Sequence, residues 1–144
     1  MQACLEIINQ ITGLSPDRGK PFVKKTPYPV HHVISIIGIT GDIQGQVIFS
    51  YSDKAAQRLA SAMAGMEITA IDDMTLSALG ELSNMVMGRS GTLLSEAGIN
   101  VTITPPTTLT GEQVTVTNQK PVICVPYYLE NDQLEINFAI KGVN

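Results

Sequence analysis

The chain has 144 residues, 44% of them hydrophobic and 15% charged, which suits one domain (residues 1–144) with a sizeable core and excludes global disorder. Thirteen acids against nine bases give a formal charge of −4, the wrong sign for nucleic acid or an anionic membrane, whose partners carry clustered Lys and Arg. No apolar run approaches the ~20 residues that span a bilayer, and no leader-like N-terminus is visible. The expectation is therefore a cytoplasmic protein, with Cys4 and Cys124 as reduced, buried or semi-buried thiols.

In chain order, Cys4, Ile7, Ile8, Ile11 and Leu14 recur at helical spacing, and Gly13 with Ser15-Pro16 ends that helix. Residues 16–30 hold four prolines and read as an extended connection. Two strands follow, His32 to Thr40 and Gln44 to Tyr51, turning at Gly41-Asp42. The first is apolar on both faces, as in a sheet covered on both sides. Ser52-Asp53 predicts the N-cap of a helix to about Met63, with Gly65 as its C′ residue. A second helix starts near Asp72-Asp73, whose carboxylates suit its positive end, and runs to about Ala97 before Gly98. Four strands close the chain, at 100–104, 112–118, 121–128 and 133–140. The order α-ββ-αα-ββββ implies an α+β fold, a largely antiparallel sheet with helices packed on it.

The long helix carries the chemistry. At ~100° per residue, Leu76, Leu79, Leu82, Val86, Leu93, Leu94 and Ala97 form a core-facing stripe. The opposite side collects Ser77, Glu81, Asn84, Gly88, Thr92 and Ser95, with Met85 at its edge. A solvated helix face normally fills with Lys, Glu and Arg. Here Gly88 costs about 1 kcal/mol relative to Ala, and Asn84 is a poor interior helix residue. Such a face suits a partner that approaches closely. Glu81 and Asn84 project side by side, three residues apart. A carboxylate can pair with a cation or act as a base, while a carboxamide can donate and accept at once and so orient a water. Hydrolysis of a phosphoryl group supplied by another molecule needs little more than this. E-x-x-N is also an ordinary surface pattern.

The stretch Leu76-Ser77-Ala78-Leu79-Gly80-Glu81-Leu82-Ser83-Asn84-Met85-Val86-Met87-Gly88 resembles the signature helix of the CheC/CheX family of chemotaxis phosphatases. Ile37–Gly45 and Asn100–Thr107 fit the CheX branch in order and spacing. The resemblance implies dephosphorylation of the phospho-aspartyl form of a CheY-like response regulator in two-component signalling. Asn84 would orient the attacking water, and Glu81 would pair with the receiver's lysine. The small face around Ser77 and Gly88, with Met85 as adaptable contact surface, would admit the receiver. Mg²⁺ would belong to the receiver and not to this chain. A homodimer formed through the sheets is also implied. The alternative is a non-catalytic module that docks on a receiver with the same face.

CheC-type relatives carry two such motifs, and the first helix contains Glu6-Ile7-Ile8-Asn9. That helix is short and lacks the small-residue face, so a single central motif is expected. His31-His32, adjacent on a strand, point to opposite faces and cannot chelate one ion together. Gly38, Gly41 and Gly45 lie at a hairpin without the following Lys-Ser/Thr and helix, which makes them turn residues and not a phosphate loop. Asp72-Asp73 reads as a helix start and not as a metal site.

Overall fold

The computed structural model describes residues 2–117 and 121–141. Helix α1 (Gln2–Thr12) leads into three short strands, β1 (Asp17–Arg18), β2 (Phe22–Lys24) and β3 (Tyr28–Pro29). The hairpin β4 (Val33–Gly41) and β5 (Gln44–Tyr51) is followed by helices α2 (Asp53–Ala64) and α3 (Asp73–Glu96). The chain closes with β6 (Val101–Ile103), β7 (Thr107–Thr110), β8 (Thr115–Val116), β9 (Val122–Leu129) and β10 (Asp132–Lys141). The main sheet runs β1-β9-β10-β5-β4-β6, with β2 also on β9 and β7 also on β4. Every pairing is antiparallel, including the small β3–β8 ribbon.

Local chemistry sets the helix ends. Ser52 accepts from the Ala55 amide to cap α2, and Gly65 ends it in a left-handed conformation at φ 68°. Asp72 opens α3 through a reciprocal capping box with Thr75. Two hydrogen bonds from Thr75 hold the Asp72 carboxyl below its usual range. The Asp72-Asp73 pair is thus a helix start, as its position suggests.

Two stretches differ from expectation. The proline-rich connection 16–30 is not merely extended, because its short strands β1 and β2 pair with β9. The strand expected at 112–118 is absent as such. The chain leaves β4 after β6 at Pro105-Pro106, returns to it as β7, and only Thr115–Val116 pairs elsewhere, with β3. Gln113, at φ 53°, bends the intervening turn; residue 118 lies outside the described residues.

The sheet has two covered faces. On one, Val33, Ile37 and Ile39 of β4 align with Val47, Phe49 and Tyr51 of β5 and with Leu134 and Ile136 of β10. The helices cover that face, with Cys4, Ile7 and Ile8 of α1, Ala56 and Leu59 of α2 and Leu79, Leu82 and Val86 of α3 in the same cluster. Each fully buried aliphatic side chain there contributes about 1.5–3 kcal/mol. On the other face lie Ile34, Ile48, Ser50, Cys124, Glu135 and Asn137, all buried. The strap leading to β4 covers it, through buried Tyr28 and the ribbon with β8. This second cover explains why β4 is apolar on both sides.

The strap is fastened by a polar cluster. Glu135 Oε2 lies 2.8 Å from Lys24 Nζ, and its Oε1 lies 3.2 Å from His31 Nε2. The Cys124 thiol donates to Glu135 at 2.8 Å, and the His31 amide donates to Ser50 Oγ at 2.7 Å. Burial alone would raise the Glu135 pKa. The close approach of His31, the Cys124 hydrogen bond and the Lys24 contact with its charge outweigh it and hold the carboxyl at about 2. Both cysteines are buried free thiols, each pushed up to about 12 chiefly by burial.

Candidate functional site on helix α3

Helix α3 packs on α1, α2 and the β4–β6–β7 side of the sheet, with one face left open. Its buried set is Thr75, Leu79, Gly80, Leu82, Ser83, Val86, Met87 and Ser90. The expected stripe is therefore corrected at both ends. Leu76, Leu93 and Leu94 are half-buried and Ala97 is exposed. The last turns stand off from β6 and leave a groove of about 390 Å³ lined by Gly88, Gly91, Thr92, Ser95, Val101 and Ile103. Small polar residues take the inner positions instead, where hydroxyls satisfy themselves on helix carbonyls. Ser83 donates to Leu79 O and Ser90 to Val86 O, both at 2.8 Å.

The outer face holds the residues singled out from the sequence. Ser77, Glu81, Gly88, Thr92 and Ser95 are exposed, and Asn84 is half-buried. Met85 is half-buried and packs in part against the core, which leaves its remaining surface at the edge of this face. Helix geometry sets Glu81 and Asn84 ~60° apart around the axis and ~4.5 Å along it. Neither side chain has a hydrogen-bond or ion-pair partner among the described residues. A carboxylate and an amide left unpartnered side by side keep their full capacity for a partner's cation and for water.

Two glycines of this helix play opposite parts. A Cβ on Gly80 would sit 2.9 Å from Thr108 Oγ1 of β7 and 3.7 Å from the Pro106 ring. Gly80 therefore lets α3 press on the sheet edge, a role that sequence reasoning missed. Its signal was a glycine one residue before Glu81, on the inward side. A Cβ on Gly88 would meet nothing within 4 Å. Among the described residues nothing packs close enough to require that glycine, so nothing there offsets its helix cost.

The second E-x-x-N is engaged by the fold. Glu6 Oε2 lies 3.2 Å from Arg89 Nε, tying α1 to α3. Asn9 donates to Ser15 Oγ at 3.1 Å and toward the Leu14 carbonyl at 3.4 Å, closing the C-terminal end of α1. Thr12 and not Leu14 is the last helical residue, because Gly13 turns left-handed at φ 74°.

The remaining candidates fall to structural roles. His31 faces Glu135 while His32 Nδ1 lies 3.2 Å from Asp53 Oδ2, so the two histidines have separate partners. Gly41, at φ 110°, would place a Cβ 2.7 Å from the Asn100 carbonyl. A Cβ on Gly45 would collide with the Ala139 carbonyl. These glycines permit close strand approach and do not cradle a phosphate. Asp42 Oδ2 accepts from the Asn100 amide at 2.8 Å, joining the segments Ile37–Gly45 and Asn100–Thr107 at one sheet corner. Among the described residues no group of three or more His, Cys, Asp or Glu is arranged to hold a metal ion, and no helix is long and apolar enough to cross a membrane.

An antiparallel sheet backed by helices, one of which turns an unpartnered E-x-x-N outward, defines a protein of the CheC/CheX type. Residues 33–128 match the family described as chemotaxis phosphatase CheX. The CheY-P phosphatase CheX of Thermotoga maritima is 33% identical over 139 residues, spanning 95% of this chain and 90% of that protein. A chemotaxis protein CheX from Desulfovibrio desulfuricans superposes with a TM-score of 0.88 at 27% identity, covering 97% of this chain and 95% of that one. A chain of the CheX–CheY–BeF₃–Mg²⁺ complex from Borrelia burgdorferi superposes at 0.84 with 26% identity, covering 97% and 94%. The chain belongs to the CheX family of chemotaxis phosphatases.

Proposed function

We propose that this chain, residues 1–144 acting as one domain, hydrolyses the phospho-aspartate of a CheY-like response regulator. The single observation that carries the site is the unpartnered Glu81–Asn84 pair on the outer face of α3. In the reaction a water attacks phosphorus in line. The bond from phosphorus to the aspartyl oxygen breaks, releasing inorganic phosphate and a free carboxylate. Such a transfer asks for positioning and charge stabilisation more than for covalent chemistry. The Asn84 amide oxygen accepts a hydrogen from the water while its N–H₂ donates to a neighbouring oxygen, which fixes the water's direction. Glu81 pairs with the receiver's lysine and sets the register of docking. Ser77, Met85 and Gly88 form the contact surface, and the open space over Gly88 supports a close approach there.

Mg²⁺ is assigned to the receiver, a reading supported by the Mg²⁺-containing complex of the Borrelia relative. A cytoplasmic location fits the proposed substrate, the phosphorylated receiver of a response regulator. A homodimer through the sheet is supported by exposed Phe22, Val23 and Ile123 (46%, 66% and 52%) where β2 pairs with β9.

The test is the decay of a Mg²⁺-bound, phosphorylated CheY-like receiver with wild type and with Asn84→Ala. Acceleration by wild type alone supports the assignment. Retained docking without acceleration by either protein returns the chain to a non-catalytic receiver-binding module.

A further inference from the structure

Between Glu81 and Asn84 lies Ser83, whose side chain is fully buried. Its hydroxyl donates to the Leu79 carbonyl at 2.8 Å and sits 2.9 Å from the hydroxyl of Tyr51, the last residue of β5. A serine hydroxyl has one hydrogen. With that hydrogen on Leu79 O, the Tyr51 O–H is the donor to Ser83 Oγ. Burial pushes the Tyr51 phenol well above its usual range, so it keeps its proton.

Tyr51 is itself held rigidly. It stands in register between Val33 of β4 and Leu134 of β10, stacks on Phe49 at 6.4 Å, and precedes the cap of α2. The neighbouring inner contacts of α3 come from Leu79, Leu82, Val86 and Met87. Apolar contact is non-directional and tolerates small rotations of a helix. A buried hydrogen bond is directional and selects one arrangement. Turning α3 by ~20° would carry a side-chain tip by about 2 Å, and an error of ~1 Å at a reacting centre can cost ~100-fold in rate.

We propose that the Tyr51–Ser83 hydrogen bond sets the rotation of α3 on the sheet and thereby aims Glu81 and Asn84 at the receiver. Tyr51 and Ser83 are positioning residues, since neither reaches the reacting atoms. The inference rests on the phosphatase reading above.

The experiment measures kcat and KM for receiver dephosphorylation, with thermal unfolding, for Tyr51→Phe, Ser83→Ala, the double variant and Ser90→Ala. Tyr51→Phe and Ser83→Ala should each lower kcat by ~3- to 10-fold with KM changed less than ~2-fold. The double variant should lose no more kcat than the worse single, because both remove the same bond. Ser90→Ala removes a buried hydroxyl that, among the described residues, is bonded within α3 alone. It should lose a few degrees of stability and keep kcat. A wild-type kcat in both folded single variants, or an equal loss in Ser90→Ala, overturns the inference. If wild type does not accelerate decay at all, the phosphatase reading fails, and its failure is visible before any variant is compared.

Discussion

Three of the places where an acid meets an amide or base in this molecule invite comparison, and among the described residues one of these three is left without partners. On α1, Glu6 is taken by Arg89 and Asn9 by the end of its own helix. On the strap-covered face, Glu135 holds Lys24, His31 and Cys124. On α3, Glu81 and Asn84 hold nothing among the described residues. The same residue types serve the fold where their bonds close internally, and stay open to solvent where they do not. The two E-x-x-N motifs are thus separated by what surrounds them and not by their letters.

That contrast can be broken experimentally. The largest effect is expected from Asn84→Ala, which should lower kcat by ~100-fold or more while receiver binding persists, since one positioned polar group is lost from the transition state. Simultaneous loss of binding would refute the division of roles between Asn84 and Glu81. Glu81→Lys comes next. It sets like charges together at the receiver lysine and should raise KM by at least ~10-fold, read by titrating the phosphorylated receiver; an unchanged KM would sink the ion pair.

Glu135 gives the next contrast, in stability alone. Its folded pKa of about 2 lies below the ordinary unfolded value. Its contribution is therefore fully present above about pH 4.5 and lost as pH falls toward 2. Acid unfolding of Glu135→Gln should show a flatter pH dependence than wild type across that window, with a difference of about 2 kcal/mol. Parallel curves would contradict the clasp.

Gly88→Ala sharpens the comparison within α3. Among the described residues no packed neighbour lies within 4 Å of the added methyl, so denaturant unfolding should show a gain of up to ~1 kcal/mol, while KM for the receiver rises several-fold. A more stable variant with unaltered KM would remove Gly88 from the docking face. The smallest effect belongs to α1. Glu6→Ala and Asn9→Ala should each cost about 1 kcal/mol or less and leave kcat intact, whereas a clear loss of kcat would make α1 a second site.

Much of this was legible in the residues. The long hairpin, the caps at Ser52 and Asp72, and the stop at Gly65 follow from local rules that do not need distant partners. The outward face of α3 was readable because glycine and asparagine in a helix interior cost stability, and that cost has to be offset somewhere. What local pattern could not supply was pairing. Whether residues 107–116 form one strand or two depends on β4 and β3 being available, and those lie far away in sequence.

The amino-acid sequence by itself determined the three helices, the β4–β5 hairpin, the two closing strands, the helix caps and the identity of the polar pair on α3, because each depends on the periodicity and chemistry of neighbouring residues. Only the tertiary structure decided which polar groups remain open. Arg89 reaches Glu6 across two helices, Thr108 demands a glycine at position 80, and Tyr51 meets Ser83 across the core. Hydrogen bonds and close contacts are short-ranged, so the partner of a side chain is set by where the packed elements stop, which no single segment encodes.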